Sequence, residues 1–191
     1  MYYSRLRVTN FRSIRNADLS LSPFVCAVGH NNSGKSSLLM AMSLFRSGSS
    51  LNKSDFYDPD EDIVIEATLE AVTNDALRVV GEQHREKLLP FVDGDRLTLV
   101  RRYPAGGGKS SLRCFKRMPK DARFTDDRIS EVITGSGKAL RESFETEYPE
   151  LVDQLEAGGK AQKYFREVLR QYIAALDDGD LELVETALPS G

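Results

Sequence analysis

Residues Gly29-His30-Asn31-Asn32-Ser33-Gly34-Lys35-Ser36 spell G-x-x-x-x-G-K-S, and this pattern works in one structural setting only. A strand must deliver the chain into the loop and a helix must lead it out. Successive backbone N–H groups and the helix N-terminus then converge on one anion. The flanks supply that setting. The apolar run Phe24-Val25-Cys26-Ala27-Val28 predicts a strand before the loop. Leu38 to Phe45 predicts a helix after it, from about Lys35 to Arg46, apolar nearly all round and therefore expected to be buried. The expected roles follow from the chemistry. Gly29, Asn31, Asn32, Ser33, Gly34, Lys35, Ser36 and Ser37 form a cradle for a polyphosphate. Gly34 lets the backbone approach closely. Lys35 reaches the β- and γ-phosphates and is the candidate catalytic residue, while the Ser36 hydroxyl is a candidate Mg²⁺ ligand.

The chain has 191 residues, enough for one α/β domain with a sizeable core or for part of a larger one. Its longest apolar runs are about five residues, far short of the roughly 20 a membrane helix needs, and Met1 to Arg5 carries no apolar signal segment. Cys26 and Cys114 stand far apart in apolar contexts. Both are expected as reduced core thiols of a cytoplasmic protein. No cluster of Cys, His and carboxylate has metal-ligand spacing. The net charge of −3 hides an uneven distribution: residues 96–120 carry eight Lys and Arg and no acid, while residues 51–95 carry twelve acids against four bases. The basic stretch, with Arg101, Arg102, Lys109, Arg113, Lys116, Arg117 and Lys120, reads either as a ribbon facing nucleic-acid phosphate or as a solvated sheet face.

Arg5 to Val8 alternates as a strand, and Asn10-Phe11-Arg12-Ser13-Ile14 turns the chain into a second one, Ala17 to Leu21. Ile63 to Leu69 reads as a third strand, and residues 74–91 as a helix. Arg96 to Tyr103 and Ser111 to Arg117 flank Pro104-Ala105-Gly106-Gly107-Gly108 and form a hairpin. Beyond that the reading is helical. Leu140 and Phe144 lie four apart, Pro149 opens a new element, and Phe165, Val168, Leu169, Tyr172, Ile173 and Leu176 mark one helical face that ends near Gly179. Two further Gly-Lys pairs, at Gly108-Lys109 and Gly137-Lys138, lack the first glycine of the loop pattern, having Tyr103 and Val132 there. Ile173 to Asp178 imitates an apolar strand ending in a metal-binding Asp, but its upstream spacing is helical.

Three features in order resemble a known group: Leu6-Arg7-Val8-Thr9-Asn10-Phe11-Arg12-Ser13-Ile14, the Asn31-Asn32-Ser33 loop, and Asn52-Lys53-Ser54-Asp55-Phe56-Tyr57 before an acidic loop and a strand. Together they look like the ATPase head of the RecF/SMC/OLD branch of ABC-type ATPases. The third favours the OLD (overcoming lysogenization defect) family. The resemblance implies an α/β P-loop NTPase fold, the first half of an ABC-type head with a mixed β-sheet. Residues 1–120 would be its N-terminal lobe and 121–191 a truncated helical insertion. It implies ATP and Mg²⁺ as cofactors, a second head as partner, and DNA. By the same resemblance Arg12 lies near the nucleotide, and Asp55 lies near the metal or γ-phosphate. A hairpin-turn arginine paired with a surface acid, and a turn or cap aspartate, are the alternatives. Arg101, Arg102, Arg113 and Lys116 are the DNA-contact candidates. The signature segment, the Asp-Glu strand end, the switch His and the Toprim acid cluster of such proteins have no counterpart here. The expected chain is therefore an N-terminal piece that binds ATP, within an OLD-type ATP-dependent DNA endonuclease of phage defence. A RecF/SMC-like repair ATPase and a nucleotide-gated assembly module with little turnover are the other readings.

Overall fold

The computed structural model describes residues 1–31, 33–156, 159 and 161–188. Residue 32, one of the cradle candidates, lies outside them. The chain divides into two units, residues 1–116 with 184–191, and residues 117–183.

The first unit is built on a sheet of order β2-β1-β3-β4-β5-β6, with β1 Tyr2–Phe11, β2 Ile14–Ser20, β3 Ile63–Glu70, β4 Leu97–Tyr103, β5 Ser111–Pro119 and β6 Leu181–Ala187. The pairs β1–β2, β1–β3, β3–β4 and β4–β5 are all antiparallel. The expected mixed sheet is thus corrected to an antiparallel one among the described pairings. Alternation explains how β1 sits. Leu6 and Val8 point into the core at 2% and 0% exposure. Arg5 and Arg7 point out and share Asp18 of β2, and Arg7 also reaches Glu66 of β3. These are cross-strand neighbours by register. The two guanidinium groups hold the Asp18 carboxyl well below the usual carboxylate range.

Helix α1, Lys35–Ser47, packs on the inner face of this sheet through Ala41, Leu44 and Phe45, with Leu38 and Met42 beside them. Its far end is tied down. Arg101 of β4 donates from Nε to the Phe45 carbonyl at 2.7 Å, and the Tyr103 hydroxyl donates to the Leu44 carbonyl at 3.2 Å. Gly48 closes the helix in a left-handed conformation, φ 64°, where a Cβ would stand 2.5 Å from Arg101 Nη1. The opposite face of α1 is uncovered, with Leu39 64% exposed and Met40 40%. This corrects the expectation of a helix buried all round, because the sheet reaches only one side of it.

Residues 24–28 form no strand, and Phe24 and Val28 are 85% and 89% exposed. Backbone of this kind becomes a strand only when a neighbour satisfies its N–H and C=O groups, and none of the described strands lies alongside. Cys26 is exposed for the same reason, against the expectation of a core thiol, whereas Cys114 is buried. The expected helix over 74–91 is broken into α2 Asn74–Leu77 and α3 Glu82–Leu88 with 3-10 turns after each. Gly81, at φ 87° and ψ 151°, cannot continue a helix.

The second unit holds α4 Asp126–Val132, α5 Gly137–Glu147, a 3-10 turn Pro149–Gln154 and α6 Gln162–Ala174. Its core joins Phe124, Ile129, Ile133, Leu140, Phe144, Tyr148, Leu151, Phe165 and Leu169. The segment from Ile173 into the following turn is the end of a helix. β6 was not expected from the sequence. Glu182 and Glu185 interrupt its apolar positions, and Leu183 is 55% exposed, so neither clean alternation nor a buried run announces it.

Candidate functional site

The loop opens onto a cavity of about 520 Å³ lined by Ser13, Asn31, Ser33, Gly34, Lys35, Ser36 and Ser37. Gly34 stands at the N-cap of α1 with φ 87°, a conformation that a side chain disfavours. The Lys35 ammonium donates to the carbonyls of Gly29 and His30, both at 2.6 Å, and to Ser33 Oγ at 3.2 Å. Its three donors are therefore gathered over the loop. Ser36 and Ser37 bring two hydroxyls into the first turn of α1, where the helix dipole favours negative charge. Among the described residues the lining has one cation, four hydroxyl groups and no carboxylate, a composition that fits an anionic ligand with several oxygens. Among the described residues no group of three His, Cys, Asp or Glu could hold a metal ion. A Mg²⁺ ion at the Ser36 hydroxyl would therefore take most of its ligands from the ligand's oxygens and water.

Ser13 was not singled out from the sequence. It lies in the β1–β2 turn, with Oγ 3.4 Å from Ser37 Oγ. It also borders a second cavity of about 330 Å³ with Ile14, Arg15, Asn16, Ala17, Ser33, Gly34 and Leu38. The motif letters of the loop carry no information about which distant turn will close over it. The only signal was that Ser13 follows Arg12.

Arg12 and Asp55, expected from the resemblance to lie near the nucleotide and metal, are not among the lining residues. They pair with each other, Arg12 Nε on Asp55 Oδ1 at 2.9 Å. Asp55 is buried and completes a capping box with Asn52 around the turn Lys53–Asp55. The basic ribbon is divided. Arg101 is engaged by the end of α1 and by Ser110. Arg102 and Arg113 share one carboxylate, Glu185 of β6, which the two cations hold below its ordinary carboxylate range. Lys116 has a partner of its own. Arg117 pairs with Asp178.

A model of the AAA ATPase domain family matches residues 1–168. The Old nuclease of Escherichia phage P2 is 36% identical over 112 residues, 56% of this chain and 19% of that protein. The DNA replication and repair protein RecF of Actinobacillus pleuropneumoniae serotype 5b (strain L20) is 56% identical over 43 residues, 22% of this chain and 12% of that protein. RecF of Haemophilus ducreyi gives the same figures. The chain thus spans less than a fifth of the length of these relatives. The matches bear out the resemblance to the OLD/RecF-like ATPase region. Among the described residues, no helix is long and apolar enough to cross a membrane.

Proposed function

We propose a function from one settled premise, that this chain belongs to the AAA ATPase domain family: it binds Mg-ATP in the loop of residues 29–37, and within a longer protein it forms the N-terminal lobe of an OLD-type ATP-dependent DNA endonuclease, working in the cytoplasm in phage defence. The observation that carries the reading is the cavity floored by Gly34 and Lys35 and walled by hydroxyls. Lys35 would hold the β- and γ-phosphates, and the Ser36 hydroxyl would help hold a Mg²⁺ ion, which would supply charge neutralisation there. Phosphoryl transfer also needs a polarised water, and among the described residues no carboxylate lines the cavity. We therefore assign hydrolysis to the assembled protein, where a second head closes over the nucleotide.

The uncovered apolar surface supports the same view. Phe24, Val25 and Val28 lie exposed before the loop, and Leu39 and Met40 are exposed on α1. Strands from outside these residues would pair with 24–28 and cover α1, completing the head. A RecF-like repair ATPase is the second reading, favoured by the local identity to RecF.

The test is steady-state Mg-ATP turnover by this chain beside Lys35→Ala, with ATP binding confirmed first. Binding without Lys35-dependent turnover is expected. Clear Lys35-dependent turnover would overturn the assignment of hydrolysis to an assembled head. For the ribbon, Arg102 and Arg113 meet at Glu185 and are the two cations whose loss tests contact with DNA. Changing both to Ala should weaken DNA binding by the longer protein and flatten its salt dependence. Unchanged affinity would make this a solvated face.

A further inference from the structure

The turn after β1 and the loop after α1 are far apart in sequence and hold each other in the structure. Asn10 and Arg12 both adopt left-handed conformations, φ 61° and 52°, which side chains disfavour. Something must keep them there. Asn10, 2% exposed, donates from Nδ2 to the carbonyls of Asp58 and Glu61 at 2.8 Å each, and its Oδ1 accepts the Asp58 N–H at 2.6 Å. Arg12 is held twice by one residue: its backbone N–H donates to the Asp55 carbonyl at 2.8 Å, and its Nε to Asp55 Oδ1 at 2.9 Å. The other oxygen of Asp55 accepts the Asn52 N–H at 3.1 Å. The guanidinium also rests over the Phe11 ring, 5.5 Å from its centre. The residue that follows this clamp is Ser13, whose hydroxyl lines the cradle beside Gly34 and Ser37.

We infer that Asp55 is a positioning residue and not a metal ligand: by clamping Arg12 through backbone and side chain, it fixes the β1–β2 turn so that the Ser13 hydroxyl forms one wall of the phosphate cradle. This rests on the nucleotide reading of the cradle. Both carboxylate oxygens of Asp55 are engaged within 9% exposure, and Asp55 is absent from the cavity lining.

The test is equilibrium binding of a fluorescent ADP analogue to wild type, Lys35→Ala, Asp55→Ala, Arg12→Ala, Ser13→Ala and the Asp55/Ser13 double variant, each in Mg²⁺ and in EDTA, with far-UV circular dichroism as the fold check. Asp55→Ala should weaken binding on the order of tenfold, the scale of a lost charge-assisted contact, and by the same factor in Mg²⁺ and in EDTA. The double variant should bind no more weakly than Asp55→Ala alone. Should Asp55→Ala not fold, Asp55→Asn, which keeps an acceptor for Arg12, and Arg12→Ala should show smaller losses with the same indifference to metal. A loss that vanishes in EDTA, or losses at Asp55 and Ser13 that multiply, would overturn the inference. Failure of wild type to bind, or binding equal to that of Lys35→Ala, would instead refute the nucleotide reading beneath it.

Discussion

Lys35→Ala is expected to lower Mg-ATP affinity about ten- to a hundredfold. A hydrogen bond to a charged group contributes about 1.5–3 kcal/mol, and every 1.4 kcal/mol is a factor of ten in affinity. Among the described residues Lys35 is the one cation lining the cavity, so no neighbour described there takes over its charge. Its ammonium already stands over the loop on the carbonyls of Gly29 and His30. Binding exchanges those neutral acceptors for anionic phosphate oxygens, which make shorter and stronger bonds. The two carbonyls are on exposed residues and can turn to water, so the variant should fold as wild type does. A fluorescence titration with an ATP analogue, read beside a thermal melt, separates the two effects. An unchanged dissociation constant would end the assignment of residues 29–37 as a phosphate cradle.

Phe144→Ala is expected to destabilise residues 117–183 by about 3–5 kcal/mol, the range for truncating a buried aromatic. Phe144 is fully buried and packs against Phe165, ring centres 4.7 Å apart, and Tyr148 at 5.0 Å. Removing the ring takes the common neighbour from both. A small domain holds only about 5–15 kcal/mol in all, so amide-exchange protection across α5 and α6 should collapse. ATP affinity should stay within about twofold of wild type, because among the described residues the cavity is lined by Ser13, Asn31 and residues 33–37 and additivity holds for sites with no shared partners. Parallel loss of exchange protection and ATP binding would contradict the placement of the site within the first unit.

The sequence was most legible where one residue's pattern decides its own neighbourhood. The alternation of Leu6 and Val8 against Arg5 and Arg7 placed β1, the loop letters placed the N-terminus of α1, and the spacing of Leu140, Phe144, Phe165 and Leu169 placed the helical core. It was least legible where the answer depends on a partner. Phe24 to Val28 has the composition of a buried strand, but composition carries no information about whether a neighbouring strand is at hand. Leu39 and Met40 look like core for the same reason. β6 is a strand because β5 offers it an edge. The clearest case is the pair of segments around Arg12 and Asp55. The resemblance points each toward a ligand, with an acid-paired turn arginine and a cap aspartate as the alternatives; the structure takes the alternatives and makes each residue the other's partner. Ser13, brought to the cradle by that pairing, went unnoticed because its importance lies in a contact across the fold with Ser37.

The central claim is that this chain grips a nucleotide by its phosphates. The most direct test is competition: a bound fluorescent ATP analogue on the wild-type chain is challenged in Mg²⁺ with tripolyphosphate and, separately, with adenosine. The account predicts that tripolyphosphate displaces the analogue in full and that adenosine at the same concentrations leaves it in place. Displacement by adenosine with no effect of tripolyphosphate would contradict it.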